Sequence, residues 1–495
     1  MSRKISELAA LIEGASLIGD KNTVIRDLVH DSRQAGRGAM FVCMAGAHVD
    51  GHRFIPDVVK QGAAALLTER EIEAPAGVAV LRVPDLNAAL QKIAPYFFNY
   101  PAQQMRLIGI TGTNGKTTTS YLVRALLRRA GYKVGLIGTI QIMIEDEVLP
   151  IHNTTPDVID LQRTLARMHE TGMEYVVMEV SSHALDQNRI AGCEFDTAVF
   201  TNLTQDHLDY HKTMENYMLA KAKLFECVST PGAKGGKTAV VNIDDPAGKV
   251  MLAHAECEHI TYAIENRDAD LRAVDVQVHA TGAAFVIQGT FGRIRLPLRI
   301  TGLFNVYNVM AAVGVALAED VPIKCIEEVL PEFRGVPGRF ELVDAGQPFA
   351  VIVDYAHTPD GLENILKTAR QITKNRIITV FGCGGDRDRT KRPIMGRIAA
   401  ELSDVVLATS DNPRTEDPAA ILAEVEAGIE EKIGAKPHEK ILDRRAAIFR
   451  AVELAQPGDI VVLAGKGHEN YQILKDRTIH FDDREVAQEA LGGEK

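Results

Sequence analysis

The segment TGTNGKTTTS at residues 111–120 constrains the fold more than any other feature of the sequence. A compact apolar run, MRLIGIT, leads into it, and residues 116–129 carry apolar side chains at helical spacing. A glycine-rich turn from a buried strand into a helix is the setting of a phosphate-binding loop, because glycine lets backbone N–H groups close on phosphate oxygens at the helix N-terminus. The segment therefore predicts an α/β sheet that binds a nucleotide.

The residues of this loop have distinct predicted roles. Lys116 is expected on the β- and γ-phosphates, and the Thr117 hydroxyl on Mg²⁺. The usual pattern G-x-x-x-x-G-K-[ST] has glycine where this chain has Ile110, so the loop is a variant form. The alternative, a turn that binds nothing, is disfavoured by the strand–helix context. The residues predicted to contact the nucleotide are Gly112, Thr113, Asn114, Gly115, Lys116, Thr117 and Thr118.

Strand and helix signals alternate along most of the chain. At about 150 residues per domain, 495 residues suggest three domains. Apolar strands alternate with helices after residue 105 and again after residue 349, as in parallel sheets covered on both faces. Residues 274–300 alternate in polarity instead, which indicates antiparallel hairpins attached to the main sheet. A Pro-Gly pair follows Val336, so we predict domains at 1–100, 101–337 and 338–495.

Composition excludes several classes of protein. The chain has 55 Lys+Arg and 66 Asp+Glu, and a formal net charge of −11 disfavours general nucleic-acid binding. The six cysteines are scattered without a C-x-x-C pair, which is typical of a reducing cytosol and not of a disulfide framework. Glutamates interrupt the N-terminal apolar segment, and no apolar run approaches the ~20 residues that span a bilayer. We expect a cytoplasmic monomer with no nucleic-acid partner and no membrane insertion.

Polar side chains cluster after the ends of predicted strands. Glu179 ends the apolar run YVVMEV, where a carboxylate at the carboxyl edge of a parallel sheet faces the ligand crevice. The segments EVSSHALDQNR and TNLTQDHLDYH then contribute His183, His207 and His211. Taken singly, each of these side chains has an ordinary structural explanation. Together they indicate a metal and phosphate site, and the absence of an NKxD motif weakens a signalling-GTPase interpretation.

These motifs resemble those of the Mur ligases of peptidoglycan synthesis. The resemblance continues in family order through GLFNVYN, VPGRFE, DYAHTPD, GCGGDRDRTKRP, DNPR and GKGHE, and it covers nearly the whole chain. It is strongest to the members that add diaminopimelate. It implies a three-domain α/β architecture: an N-terminal UDP-binding domain, a central P-loop ATPase domain with a mostly parallel sheet, and a C-terminal Rossmann-like domain. It also implies ATP and Mg²⁺, with a substrate carboxylate phosphorylated before an amine displaces the phosphate.

The resemblance implies roles for individual residues. Thr117 and Glu179 match ligands of one magnesium ion, and His207 matches a ligand of a second. Lys221 matches a lysine that is carbamylated in these ligases, which changes a cation into an anion able to bind the second ion. Composition alone favours an ordinary exposed helix lysine there. The predicted catalytic residues are Lys116, His207 and Lys221, and the further ATP contacts are Asn305, Arg339 and Asp354.

Two substrates are implied, UDP-MurNAc-L-Ala-D-Glu and meso-diaminopimelate. The positions that match the muramoyl-dipeptide site are His30, Ser32, Asn153, Thr154, Thr155, Ser181, Gln187 and Arg189. Those that match the diaminopimelate site are Arg387, Asp411, Asn412, Pro413, Arg414, Gly465 and Glu469. The Arg414 guanidinium is a planar fork for the second carboxylate, which L-lysine lacks. DNPR therefore predicts selectivity for diaminopimelate, against the alternative that it is a plain strand-to-loop turn.

Two other functions are open on the sequence. Folylpolyglutamate synthetases use similar ligase chemistry, but they lack the N-terminal UDP domain and the DNPR element. A nucleotide-dependent regulatory or binding protein would keep the loop without ligating anything. The presence of Lys116, Glu179, His207 and Lys221 disfavours such a degenerate copy.

Overall fold

The computed structural model describes residues 1–45, 49–151, 153–230, 232, 234–279 and 282–492. Three main sheets follow one another along the chain, and short two-stranded pairs lie beside the first and the last. The strands of the main sheets are buried apolar runs separated by helices, which is the alternation that the sequence predicts. The expected three-domain α/β architecture is confirmed.

The first domain has a mostly parallel sheet with strand order β2-β7-β6-β5-β4, in which β2 runs antiparallel. Its strands β5 and β6 are buried along their whole length because helices cover the sheet. The elements are β1 (Arg3–Lys4), α1 (Ile5–Ala9), β2 (Ser16–Ile18), β3 (Val24–Ile25), β4 (Asp27–Val29), β5 (Ala39–Val42), α2 (Ile55–Lys60), β6 (Ala65–Thr68), β7 (Ala79–Arg82) and α3 (Leu86–Phe97).

The central domain has an eleven-stranded sheet with order β11-β10-β9-β12-β8-β13-β14-β15-β16-β17-β18. Strands β9 to β16 in this order pair in parallel, and antiparallel strands extend both edges. The polarity of residues 274–300 predicts those at the β16–β18 edge, whereas those at the β10–β11 edge were not predicted. The first eleven elements are β8 (Arg106–Thr111), α4 (Lys116–Arg129), β9 (Val134–Ile137), β10 (Ile142–Ile144), β11 (Glu147–Leu149), α5 (Val158–Glu170), β12 (Tyr175–Glu179), α6 (Ser182–Asp186), β13 (Thr197–Phe200), α7 (Leu208–His211) and α8 (Met214–Ser229). The remaining eight are β14 (Thr238–Asn242), α9 (Gly248–Ala253), β15 (Glu258–Ala263), β16 (Leu271–His279), β17 (Gly282–Gly289), β18 (Gly292–Leu298), α10 (Leu303–Ala318) and α11 (Ile323–Val329).

The third domain has a six-stranded sheet with order β19-β20-β24-β21-β22-β23, antiparallel only at β19. The carboxyl ends of its parallel strands meet at one edge, which collects the DYAHTPD, GCGGDRDR, DNPR and GKGHE segments. Its elements are β19 (Glu341–Leu342), β20 (Ala350–Asp354), α12 (Pro359–Ile372), β21 (Ile377–Phe381), α13 (Lys391–Leu402), β22 (Val405–Ala408), α14 (Pro418–Glu430), β23 (His438–Lys440), α15 (Arg444–Leu454), β24 (Ile460–Ala464), β25 (Tyr471–Ile473), β26 (Thr478–His480) and α16 (Asp483–Ala490).

The two junctions between these sheets differ in kind. Val158, Ile159 and Ala166 of α5 belong to the apolar core of the first domain, so these two parts share a core. The apolar clusters that the described residues form beyond residue 337 contain no member from before it. The second junction is made by a connecting loop, where the Phe340 ring meets the Phe304 ring at 5.3 Å.

In the part of the chain that the structure describes, none of the helices has the length and apolar character needed to cross a bilayer.

Candidate active site

The phosphate loop joins β8 to α4 at the carboxyl edge of the central sheet. Gly115 has a φ of +86°, and a Cβ at this position would collide with the Asn308 amide oxygen. The Thr113 N–H donates to the Asn202 carbonyl at 2.8 Å, so the segment after β13 also holds the loop. The predicted loop contacts all lie in this loop and in the first turn of α4. They are Gly112, Thr113, Asn114, Gly115, Lys116, Thr117 and Thr118.

Glu179 lies where the sequence predicts, at the end of β12 beside the loop. Its side chain has no exposed surface, and its Oε2 accepts hydrogen bonds from the hydroxyls of Thr117 (3.0 Å) and Thr139 (2.9 Å). The Thr139 N–H donates to Oε1 at 2.9 Å. Among the described residues, no Lys, Arg or His forms an ion pair with this carboxylate, and its hydrogen bonds come from hydroxyl and amide donors. Such a set of hard oxygen atoms suits Mg²⁺.

Two lysines converge on one backbone carbonyl of the loop. Lys116 Nζ donates to the Gly112 oxygen at 2.9 Å, and Lys221 Nζ, from α8, donates to the same oxygen at 2.8 Å. Lys221 is only 1% exposed and therefore is not the surface lysine that composition favours. Burial lowers the pKa of Lys221 well below its usual value, and the neighbouring charge of Lys116 lowers it further. Burial also lowers the pKa of Lys116.

His207 stands next to these lysines at the start of α7. Its backbone is left-handed, with a φ of +53°, and its ring is 4.8 Å from that of His183. Burial lowers the pKa of His207, and the charges of Lys116 and Lys221 add to the effect. His211 is turned away into the interior, where its Nε2 lies 3.0 Å from the Ser182 hydroxyl. The three predicted histidines are thus brought together, and His207 is the one beside the loop.

Asn305, a predicted ATP contact, belongs to a buried amide chain on α10. Its side chain donates to the Thr301 carbonyl, four residues earlier, at 2.8 Å. Asn308 donates in turn to the Asn305 side-chain oxygen at 3.0 Å. Because the Asn308 oxygen lies against Gly115, this chain supports the phosphate loop from behind.

Arg339 and Asp354 lie at the junction with the third domain. Asp354 ends β20 and accepts hydrogen bonds from the backbone N–H groups of Phe340 (2.7 Å) and Ala356 (2.8 Å). Burial raises the pKa of Asp354, against the effect of the nearby Arg339 charge. The Arg339 guanidinium carbon lies 5.2 Å from the Tyr355 ring centroid, and its charge also lowers the pKa of Lys116 across the junction.

Most residues predicted for the muramoyl dipeptide form one hydrogen-bonded group. The Ser181 N–H donates to Thr155 Oγ1 (3.0 Å), and Arg189 donates to the Thr155 carbonyl (3.1 Å) and to Gln187 Oε1 (2.9 Å). The Thr154 hydroxyl lies 3.1 Å from the Thr139 hydroxyl, which donates to Glu179, so Thr154 connects this group to Glu179. Asn153 is exposed on the segment that leads into the group.

The first domain reaches this group through His30. Its Nε2 lies 3.5 Å from an Asp157 oxygen, directly after the NTTPD threonines. Ser32 follows two residues later at the start of a short 3₁₀ turn, Ser32–Gln34. His30 therefore lies next to the predicted central contacts.

The residues predicted for diaminopimelate form a pocket at the carboxyl edge of the third sheet. Asn412 donates to Glu469 Oε2 at 2.9 Å, and a Cβ at Gly465 would lie 2.7 Å from an Asp411 carboxylate oxygen. Arg414 donates to the Gly385 carbonyl at 2.8 Å. Pro413 and Arg387 flank the same glycine-rich turn, and the exposed Arg387 donates to the Asp386 carbonyl at 3.0 Å.

Sequence reasoning missed three residues of these sites. Thr139 follows the end of β9 as Glu179 follows β12, so its position after a buried strand was an available signal. Tyr217, four residues before Lys221, places its ring centroid 4.4 Å from Lys221 Nζ, and its helical spacing was another signal. Lys466 is fully buried beside Glu469, and its loop shows no periodicity from which burial could be inferred.

Family models match three consecutive parts of the chain. Residues 24–98 match "Mur ligase family, catalytic domain", residues 110–316 match "Mur ligase middle domain", and residues 338–467 match "Mur ligase, glutamate ligase domain". The three matches follow the order of the three sheets.

Curated relatives match over almost the whole chain. The UDP-N-acetylmuramoyl-L-alanyl-D-glutamate–2,6-diaminopimelate ligase of Bacillus cereus is 45% identical over 491 residues, which is 99% of each chain. The enzyme with the same name from Bacillus licheniformis is 46% identical over 490 residues, again 99% of each chain.

The comparison with solved structures finds the same enzyme as the comparison with curated relatives. A structure of a UDP-N-acetylmuramoyl-L-alanyl-D-glutamate–2,6-diaminopimelate ligase is 34% identical, covers 99% of each chain and superposes with a TM-score of 0.70. A folylpolyglutamate synthase from Mycobacterium tuberculosis has a TM-score of 0.60 at 18% identity over 82% of this chain and 95% of its own. That second likeness extends to the fold alone.

Proposed function

The chain belongs to the Mur ligase family, and from that premise we propose which of its residues act in each step of ligation. The protein is an ATP-dependent ligase that adds 2,6-diaminopimelate to UDP-N-acetylmuramoyl-L-alanyl-D-glutamate in peptidoglycan synthesis. The observation that carries the residue assignment is the convergence of Lys116 and Lys221 on the Gly112 carbonyl, beside the buried Glu179.

We assign the phosphoryl-transfer step to the central domain. The γ-carboxylate of the D-glutamate attacks the γ-phosphate of ATP, an acyl phosphate forms and ADP leaves. Both reactants are anionic, so Lys116 has to leave the Gly112 carbonyl and turn its ammonium to the β- and γ-phosphates. The residues that fit Mg²⁺ are Thr117 and Glu179, and bound magnesium would screen the repulsion between the two anions.

Lys221 and His207 fit a second magnesium ion only if Lys221 carries a carbamate. An unprotonated amine adds to CO₂, forming a carbamate and releasing a proton, and the lowered pKa of Lys221 favours the unprotonated amine. The reaction exchanges a buried neutral amine for a buried anion next to Lys116, so an attraction replaces the repulsion that a protonated Lys221 meets there. Its product offers oxygen ligands at a place where the unmodified side chain offers none.

We assign the second step to the third domain. The amine of diaminopimelate attacks the acyl phosphate carbon, the amide forms, and inorganic phosphate leaves with the amine proton passing to solvent. Arg414 and Arg387 bind substrate carboxylates, and Asp411, Asn412, Pro413, Gly465 and Glu469 shape the pocket. Asn305, Arg339 and Asp354 contact ATP, so Arg339 and Asp354 would join the two sites when the domains close.

The muramoyl dipeptide is assigned to the network around Thr155 and Arg189, with Asn153, Thr154, Ser181 and Gln187, and its UDP to His30 and Ser32. We propose domain limits at 1–100, 101–337 and 338–495, a monomeric state and a cytoplasmic location. The free cysteines among the described residues and the use of ATP support that location.

A substrate panel tests this assignment. The purified chain is incubated with ATP, Mg²⁺, the muramoyl dipeptide and, separately, meso-diaminopimelate, L-lysine or L-ornithine. We expect ADP, phosphate and muramoyl tripeptide in equal amounts with diaminopimelate only. Equal turnover of lysine would overturn the role of Arg414, and failure to release ADP in any reaction would overturn the ligase function.

A further inference from the structure

Lys466 is a buried cation inside the pocket that we assign to diaminopimelate. Its side chain has no exposed surface. Its Nζ lies 3.3 Å from Glu469 Oε2 and 3.3 Å from Asn412 Oδ1, and 5.6 Å from the Tyr471 ring centroid. We assign the distal ammonium of the substrate to Glu469, so the carboxylate that takes it already has the ammonium of Lys466 beside it.

The hydrogen bonds around this lysine leave it little freedom. Asn412 donates to the same Glu469 oxygen at 2.9 Å, while its own Oδ1 accepts the Ile473 N–H at 2.9 Å. Behind the pocket, Arg444 donates to both carboxylate oxygens of Asp483 and to the Ala464 carbonyl, so this buried pair adds no net charge.

The charge of Glu469 is already balanced inside the pocket, because Lys466 pairs with it. Arg414, on the glycine-rich turn, lies near Asp386, and hydrogen bonds from Thr415 together with the charge of Arg414 lower the pKa of that carboxyl group. A ligand that brings a further uncompensated cation to Glu469 creates an excess of positive charge there. A ligand whose distal end is a zwitterion brings a carboxylate together with its ammonium.

We propose that Lys466 is a specificity-determining residue that repels amino acids with a bare distal ammonium. This inference rests on the proposed placement of diaminopimelate in this pocket. The distal carbon of diaminopimelate carries an ammonium and a carboxylate, and the distal end of lysine carries an ammonium alone. Selectivity then has an attractive part, Arg414, and a repulsive part, Lys466.

The unmodified enzyme can test this proposal with two inhibitors. L-Norleucine has the carbon chain of L-lysine without the distal amine, and each is measured as a competitor of diaminopimelate. Repulsion by Lys466 predicts that norleucine inhibits at a lower concentration than lysine, by about threefold or more, since like charges juxtaposed at an interface disfavour binding. Tighter inhibition by lysine would show that Glu469 is free to attract an ammonium, and would overturn the proposal.

Lys466→Met supplies the second test, because methionine keeps the length of the side chain and removes its charge. We expect lysine to become the better inhibitor and the kcat/KM preference for diaminopimelate over lysine to fall by about tenfold. The matched control is Lys436→Met, at the opposite edge of the same sheet. Within the described part of the chain, its Nζ donates only to the carbonyls of Ala400, Glu401 and Ser403. That control should keep the inhibitor order and the preference.

The outcomes separate this proposal from the proposed function. A wild-type enzyme that never ligates diaminopimelate defeats the function. An enzyme that ligates it but binds lysine more tightly than norleucine defeats only the role of Lys466. If Lys466→Met does not fold, the wild-type inhibitor order decides the question alone.

Discussion

The phosphoryl-transfer site of the central domain and the amino-acid pocket of the third domain differ in how their charged side chains are paired. In the first, the partly buried Lys116 and the buried Lys221 share one backbone carbonyl, and Glu179 lacks an ion-pair partner among the described residues. In the second, the charges are already paired, as Glu469 is with Lys466. A site of the first kind stabilises charge that develops during the reaction, whereas a site of the second kind exchanges partners when its ligand binds.

The difference between the two sites predicts that substitutions in them will change different kinetic constants. Substitutions in the central site should lower kcat, because they remove interactions that act on the transition state. Substitutions in the pocket should mainly raise KM for the amino acid or change its selectivity. Each of the following changes tests one side of this distinction.

Lys116→Ala should have the largest effect. We expect kcat to fall by about 10³-fold, because electrostatic stabilisation of the transferred phosphate is lost, with an unchanged melting temperature. Steady-state kinetics at saturating ATP and Mg²⁺ measure this, with the exposed Lys133→Ala as the control. Near-normal turnover, or an effect confined to KM for diaminopimelate, would contradict the claim that the central site acts on kcat.

Lys221→Ala should lower kcat by about 10²-fold or more. If the carbamate is the active form, added formate or acetate should restore part of the activity, because a small carboxylate fits the vacated position. Lys223→Ala, two residues further along the same helix and paired with Asp186 at the surface, is the matched control. Full activity without any added anion would show that Lys221 only supports the Gly112 carbonyl.

Arg414→Ala tests the second of the two sites, the amino-acid pocket of the third domain. We expect kcat/KM for diaminopimelate to fall by about 30-fold or more, mostly through KM, and the preference over lysine to shrink. Arg389→Ala, which removes an exposed arginine paired with Glu424, should change neither quantity. Unchanged discrimination in Arg414→Ala would mean that another group recognises the second carboxylate.

Thr139→Val should have the smallest effect, a loss of about tenfold in kcat. Valine keeps the shape and the N–H bond to Glu179, and it removes the hydroxyl that donates to Oε2. The Mg²⁺ concentration needed for half-maximal activity should rise as well. Thr171→Val, an exposed threonine that bonds the Arg167 carbonyl, is the control, and equal Mg²⁺ titrations for both variants would remove Thr139 from the site.

The sequence predicts the fold well because its signals are local. The strand before TGTNGKTTTS and the helix after it need only the apolar pattern, and the structure places helix α4 at residues 116–129 as predicted. The gathering of motifs at sheet edges follows from parallel strands, whose carboxyl ends point the same way. Glu179 was therefore predictable from its place at the end of a buried strand.

Burial of charged groups was harder to predict. Tyr217, Lys221 and Phe225 lie four residues apart on one buried face of α8, so the lysine occupies an apolar stripe that could have revealed it. Lys466 has no such stripe. Its ion-pair partner Glu469 is three residues away, but Lys466 also contacts Asn412, which lies 54 residues earlier in the chain. That contact exists only once the third sheet has formed, so the local sequence does not predict it.

The shared core between the first sheet and α5 has a consequence for synthesis on the ribosome. Helix α3 ends at Phe97, but the first sheet needs Val158, Ile159 and Ala166 to complete its core. A ribosome adds about 5–20 residues per second, so α5 follows α3 by roughly 4–15 s. During that interval the nascent first domain presents an uncovered apolar face, and a chaperone that holds such surfaces has its best opportunity to bind this chain then.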